Sequence, residues 1–391
     1  MDRSPLLDGI RVLDLSSVGP ASRASRWLAD WGAEVVKVGP PARRGGIQIE
    51  PPFFSYGAGR GQKRLRVDLK QEAGREAFLR LAARADVLIE SFRPGVAERI
   101  GIGYEAVRAR SPGIVYCSTS GYGQEGPYAG WAGHDLNYLA LAGFLDCSTP
   151  RADGGPPIPG ATLADAAAGG LQAVAAILAA LLQRSRSGRG RYLDVCVAEG
   201  VLSLMALQVD EYLALGTRPG PGSGLLTGRY ACYDCYRARD GRWLAVAAIE
   251  PHFYANLCKA LGLERYLPYQ TDDARQEEIR AAFRAAFATR DRDVWVAELA
   301  PADTCVAPVY SVPELVEDPH LRERRVFLEA ETETGGRGRF RQLGPLLAGG
   351  LREQPVHRVR PAAETDSEAL LRAAGLGARE IEELRRGGAV E

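Results

Sequence analysis

The chain has 391 residues, above the size at which one hydrophobic core stops growing, and 46% of them are hydrophobic, so two cored domains are expected. Its 49 Lys+Arg balance 49 Asp+Glu, and this zero net charge argues against a general nucleic-acid binder while leaving local basic clusters able to hold a phosphorylated small molecule. Seven scattered cysteines cannot all pair with one another, and the start Met1-Asp2-Arg3-Ser4-Pro5 lacks an apolar secretory core, which predicts reduced thiols and a cytoplasmic location.

Residues 9–15 (Gly-Ile-Arg-Val-Leu-Asp-Leu) read as a buried strand, 20–31 as a helix and 33–38 as a second strand. That is a βαβ unit, which implies a parallel sheet. Its loop, Ser16-Ser17-Val18-Gly19-Pro20, lacks the Gly-x-Gly-x-x-Gly turn, so the phosphate-binding device of a dinucleotide site is missing. The alternation continues with a strand at 64–69, a helix at 71–85, a strand at 86–90 and a strand at 113–118 leading into the glycine-rich 120–127. A Pro/Gly loop at 150–160 precedes the strongest helix, 164 to about 184. Arg184 and Arg186 suit its C-terminal dipole and Gly188 stops it. Its apolar run, 173–182, is too short to span a membrane. A strand at 191–197 and a helix at 199–215 complete this part.

The texture then changes. Residues 217–224 are rich in Pro, Gly and Ser and mark a linker. Strands at 230–237 and 242–248 flank Asp240-Gly241, a hairpin signal. Amphipathic helices at 252–261, 275–288 and 294–300 complete a smaller α+β domain. Cys232-x-x-Cys235 has neither a second pair nor a nearby His-x-His, so a strand position is expected there and no metal site. A second hairpin, 327–332 with 338–343 about Gly335-Gly336, and a helical tail from 367 to about 386 follow.

Two polar residues stand out. His134, in Gly-His-Asp-Leu-Asn-Tyr, and Asp165, in Leu-Ala-Asp-Ala-Ala-Ala-Gly-Gly, sit at the ends of apolar, helix-forming segments. An imidazole and a carboxylate facing one carbon could take a proton from one side and return it to the other. A lone His or Asp beside a helix is more often a cap or a solvated residue, so spacing leaves both roles open. Asp135 reads equally as a cap or as a group orienting its neighbours. The run Ala166-Ala167-Ala168-Gly169-Gly170 has no bulk, which suits either close approach of a ligand or tight helix packing.

Several blocks together resemble the family III CoA transferases, and within them the racemase branch that acts on α-methylacyl-CoA. They are residues 7–15; Gly59-Arg60-Gly61-Gln62-Lys63-Arg64 leading to Asp68-Leu69-Lys70; Phe92-Arg93-Pro94-Gly95; and Ser120-Gly121-Tyr122-Gly123-Gln124. The Gly133–Tyr138 and Leu163-Ala164-Asp165 blocks, Ala248-Ile249-Glu250-Pro251-His252-Phe253-Tyr254 and Cys305-Val306-Ala307-Pro308-Val309 complete them in order along the chain. The resemblance implies an α/β fold: a Rossmann-like large domain built from N- and C-terminal parts, a small α+β domain, and two chains interlocked as a homodimer. The expected boundaries are 1–216 for the N-terminal part, 217–228 for the linker, 229–325 for the small domain and 326–391 for the return and C-terminal part. It assigns Asp165 as nucleophile in transferases or acid/base in racemases, His134 as the second base, Glu250 as its support, and Arg60, Lys63 and Arg93 as coenzyme contacts. Two positions depart from the pattern. Ala161 stands where racemases carry Asn, and Gly39-Pro40-Pro41 where members carry Arg, with Arg43 and Arg44 the substitutes at hand.

The implied reaction is removal and return of the proton beside a thioester carbonyl, through an enolate, by two bases on opposite faces. Neutral His134 suits one role. Asp165, at a helix start whose dipole favours the carboxylate, suits the other. Backbone N–H groups at the Asp165 helix start are expected to meet the enolate charge. Glu250 either fixes the His134 tautomer or is only an acid at a helix start before Pro251. Acyl-CoA is then the substrate, and no cofactor, metal, membrane or nucleic acid is needed. The alternatives are a CoA transferase working through an Asp165 acyl anhydride, and a non-catalytic CoA-binding scaffold. His134 with Glu250 favours the racemase, since the transferase needs neither.

Overall fold

The computed structural model describes residues 4–42, 59–332, 338–352, 354–361 and 363–391; Arg43 and Arg44 lie outside the described residues. The chain divides into two compact units. One comprises Met1–Gly143, Pro159–Ala206 and His320–Glu391; the other comprises Phe144–Ile158 and Leu207–Pro319.

The first unit begins with β1 (Arg11–Asp14), α1 (Gly19–Asp30), β2 (Glu34–Gly39), β3 (Gln62–Arg66), α2 (Glu72–Ala82) and β4 (Val87–Glu90). Two short helices, α3 (Val96–Arg99) and α4 (Tyr104–Arg110), precede β5 (Val115–Ser120). Then come α5 (Asp135–Leu141), a π-helical segment (Ala164–Leu171), α6 (Gln172–Ser187), β6 (Arg191–Cys196) and α7 (Val197–Leu204). The strands form one six-stranded sheet in the order β3-β2-β1-β4-β5-β6. Every pairing in it is parallel.

A sheet covered on both faces needs apolar side chains on successive residues, and Val12-Leu13 of β1 and Val87-Leu88-Ile89 of β4 supply them. Val12, Val87 and Ile89 point into a core with Ala24 and Leu28 of α1 and Ile177 of α6. Their neighbours Leu13 and Leu88 point into the opposite core with Phe78 of α2. The period-2 alternation of the strands therefore feeds two separate cores.

The helix expected from 164 is not uniform. Its first eight residues are π-helical before regular α6 begins. Close packing accompanies the change. A Cβ on Gly169 would come 2.6 Å from Pro20 Cβ of α1, and one on Gly200 of α7 would come 2.1 Å from the Ala168 carbonyl oxygen. The span Ala164–Ser187 is long and apolar enough to cross a membrane by composition, but Ala173, Val174, Ile177 and Ala180 are buried in the sheet core. The single helix expected at 199–215 is broken at buried Met205 into α7 and α8 (Ala206–Leu215).

The second unit holds most of α8, none of whose side chains is buried. Strands β7 (Tyr233–Arg237) and β8 (Trp243–Ala247) pair antiparallel about Asp240-Gly241, where Gly241 takes φ +82°. Helices α9 (Pro251–Ala260), α10 (Gln276–Phe287) and α11 (Arg292–Leu299) follow, then β9 (Val306–Pro308) on the free side of β8 and α12 (Val312–Glu317). Tyr236, Tyr254, Phe283, Phe287 and Trp295 form its aromatic core. Cys232 is buried and Cys235 is an exposed residue of β7; all seven cysteines are free thiols.

Helix α13 (Pro319–Glu323) leads back to the first unit. There β10 (Phe327–Thr332) and β11 (Arg339–Leu343) form the expected antiparallel hairpin, whose Gly335-Gly336 turn lies outside the described residues. β12 (His357–Val359) adds to β10 in parallel. The helical tail divides into α14 (Ser367–Ala373) and α15 (Ala378–Arg386). This segment is stitched to β3: the Asp366 carboxylate accepts the Arg64 N–H at 2.8 Å, and the Arg64 carbonyl accepts the Asp366 N–H at 2.8 Å.

Candidate active site

The site is built at helix starts in the first unit. Helix α5 opens directly after His134, whose own N–H donates to the Asn137 side-chain oxygen at 3.0 Å. The histidine side chain is exposed and the next residue turns inward. Asp135 Oδ1 accepts the backbone N–H of Asp165 at 2.8 Å. One carboxylate thus ties the His134 turn to the start of the π segment, across 30 residues of sequence. Buried Tyr138 closes the inner side by donating its hydroxyl to the Gly133 carbonyl at 2.5 Å. Gly133 is required there, because a Cβ would lie 2.8 Å from the hydroxyl of Tyr122.

Asp165 is half-buried, and its carboxyl pKa lies above the ordinary carboxylate value. Burial is the main cause and the neighbouring Asp135 charge adds to it; Arg23 and His134 pull the other way. His134 therefore lies within electrostatic reach of the carboxylate. The phenol of Tyr138 is pushed up to about 12, first by burial and then by Asp165. The start of α1 also reaches this point, since a Cβ on Gly19 would lie 3.9 Å from Asp165 Oδ2. Arg23, one turn into α1, donates to the hydroxyl of Thr162, whose carbonyl accepts the Ala166 N–H at 3.1 Å.

Two of the N–H groups expected to meet an incoming oxygen at the Asp165 helix start are already bonded, that of Asp165 to Asp135 and that of Ala166 to the Thr162 carbonyl. A helix start offers donors only where nothing else has accepted them.

Of the remaining residues singled out in the sequence, Arg60, Lys63 and Arg93 belong to the first unit. Glu250 belongs to the second unit, where it is the exposed residue preceding α9 and its carbonyl accepts the Tyr254 N–H at 3.1 Å. Arg60 is buried, with its guanidinium 3.0 Å from Asp30 and donating to the Leu343 carbonyl at 2.7 Å. Lys63 on β3 pairs with Glu34 and is half-exposed. Arg93 is exposed, just before α3. Among the described residues, no group of three or more His, Cys, Asp or Glu side chains is placed to hold a metal ion.

Sequence reasoning missed Arg23, which acts on Asp165, and the buried acid Glu90 in the sheet. Arg23 looks like one more polar residue on the solvent face of an amphipathic helix. Glu90, at the carboxyl end of β4, is buried and its carboxyl is pushed up to about 7 by that burial, although the Ser118 hydroxyl and the Phe92 N–H (2.7 Å) both bond to it. The signal available for Glu90 was an acid closing an otherwise apolar strand.

The chain is 38% identical to alpha-methylacyl-CoA racemase of Homo sapiens over 329 residues, covering 84% of each protein. It is 32% identical to succinate–glutarate CoA-transferase of Agrobacterium fabrum, over 85% of this chain and 87% of that one. Among solved structures, a CAIB/BAIF family protein from Brucella suis superimposes with a TM-score of 0.76 at 27% identity, over 95% of this chain and 99% of that one. Residues 7–367 match the sequence profile of CoA-transferase family III, and with these relatives the match shows that the chain belongs to that family.

Proposed function

We propose that the protein is a racemase of 2-methylacyl-CoA thioesters, with His134 and Asp165 as the two bases of a 1,1-proton transfer. The observation that carries the reading is the Asp135 bridge. By accepting the Asp165 N–H, it holds the residue next to His134 against the residue that bears the second base. An imidazole and a carboxyl whose pKa is raised toward working pH are matched to abstracting and returning a weakly acidic proton. The start of α1 beside Asp165 Oδ2 places positive helix potential where enolate charge develops.

In this reading Glu250 orients His134, and Arg93 and Lys63 meet the coenzyme phosphates. Arg60 joins them only by giving up Asp30, so its first role is to brace α1. The sheet serves as a Rossmann-like platform, as its strand order suggests. No separate cofactor takes part, because CoA arrives as part of the substrate. The protein acts in the cytoplasm as an interlocked homodimer. The exposed leucines of α8, Leu207, Leu213 and Leu215, favour a partner surface there.

A second reading is favoured by relatives named as CoA-transferases, in which Asp165 attacks the thioester and carries an acyl anhydride. Incubation with a 2-methylacyl-CoA in deuterated water separates the two. The racemase incorporates one α-deuterium and scrambles the chirality. The transferase leaves the α-position unlabelled and is inactivated by hydroxylamine during turnover.

A further inference from the structure

We propose that Arg23 is a positioning residue for Asp165: its guanidinium pins the turn that opens the π segment and keeps a cation beside the carboxylate. The proposal rests on Asp165 being a working base. Three placements support it. Arg23 donates to the Thr162 hydroxyl, and the Thr162 carbonyl accepts the Ala166 N–H at 3.1 Å, so the arginine holds the residues on both sides of the base. The glycine pair lets α1 come close enough for this. A Cβ on Gly170 would meet the Arg23 Cβ at 3.3 Å and the Trp27 ring at 2.9 Å. The Asp135 carboxylate binds the Asp165 N–H, so an anion and a cation both act on the reacting carboxyl.

The electrostatic bookkeeping then has a definite sign. Burial and Asp135 both favour the protonated carboxyl, while Arg23 and His134 favour the carboxylate. Tyr138 also faces it from α5. From α7, the only ionisable side chain is the exposed Glu199. The rest of the π segment carries no titratable group, and α6 places its arginines at its far end. When His134 is neutral, Arg23 is the one cation among the described residues that acts on Asp165. Removing it raises the carboxyl pKa, so the base is lost at a higher pH as the solution is acidified.

The test is direct titration of Asp165 by carbodiimide labelling, which reports the protonated carboxyl and is read by peptide mass across pH. In Arg23→Gln the labelling midpoint is expected to rise by about one pH unit, since an opposite charge nearby moves a carboxyl by roughly 1–3 units and partial exposure weakens it. Arg23→Lys should recover most of the shift. Thr162→Val, which removes the hydroxyl that accepts from the guanidinium without removing charge, should give a smaller rise and serves if Arg23→Gln does not fold. An unmoved midpoint in folded Arg23→Gln, or in folded Thr162→Val if Arg23→Gln fails, overturns the proposal. The pH profile of α-proton exchange follows on the same proteins. In Arg23→Gln the acidic limb should move up by the same amount for the enantiomer that faces Asp165, and not for the other. A moved midpoint in a protein that exchanges no α-proton would sustain Arg23 and reject the racemase. Exchange with an unmoved midpoint would do the reverse.

Discussion

In the proposed racemase, His134 and Asp165 divide the work in a way that single substitutions expose. Every inversion uses both bases, so His134→Ala should abolish racemisation in both directions, a loss of at least about 10²-fold. The same variant should still exchange the α-proton of the enantiomer facing Asp165, because that carboxylate can return a solvent proton to the same face. Asp165→Asn should show the mirror pattern, and mass spectrometry of each enantiomer in deuterated water reads both. Asp135→Asn isolates a different effect. The amide oxygen can still accept the Asp165 N–H, but the negative charge that helps raise the Asp165 pKa is gone. The Asp165 pKa should then fall, and the acidic limb of kcat/KM for the enantiomer using that base should move to lower pH. An unchanged limb would mean that the Asp135 charge does not act on the carboxyl. At this scale the sequence showed His134 and Asp165 through their blocks. It hid the Asp135 bridge and the Arg23 anchor, because each contact joins residues far apart in the chain and neither leaves a local pattern.

Among the elements, the strands were the most legible. Runs such as Val87–Glu90 are short, apolar and bounded, and a parallel sheet buried on both faces requires such runs. The π segment was not legible. Its Ala-Gly composition favours an α-helix, and the departure appears only where α1 and α7 press on the same backbone. That packing makes Gly200 a sensitive position. A Cβ there would lie 2.1 Å from the Ala168 carbonyl oxygen, far inside contact distance and against backbone that cannot swing aside. Gly200→Ala should therefore cost about 2–4 kcal/mol and lower the melting temperature by several degrees, measured by thermal denaturation. A melting temperature equal to wild type would show that α7 can shift without loss. The break at Met205 was equally hidden, since 199–215 is helix-forming throughout.

For the whole molecule, the change of texture after residue 216 was readable in composition. The grouping of α8 with the second unit was not, because an apolar helix reads the same wherever it docks. Leu213 and Leu215 are 73% and 71% exposed, which is unusual for two leucines on one short helix. If α8 lies in a dimer interface, Leu213→Glu should shift the protein toward monomer in light scattering and reduce activity in proportion. Retention of a dimer by this variant would place the interface elsewhere.

The stitching of residues 366–391 onto β3 has a consequence for how the protein comes into being. Asp366 bonds Arg64, the Ala389 carbonyl accepts the Asp68 N–H at 2.8 Å, and the Arg66 carbonyl accepts the Glu391 N–H at 3.1 Å. Leu370, Leu371, Ile381 and Leu384 share one core with Leu65 and Val67. On the ribosome, β1 to β6 emerge long before the segment that packs against β3. Until it arrives, the core that α2 shares with Leu65 and Val67 lacks Leu370, Leu371, Ile381 and Leu384, and the outer strand lacks those partners. Synthesis from one end therefore cannot complete the first unit in stages, and a stalled or clipped chain presents an adhesive surface to its neighbours.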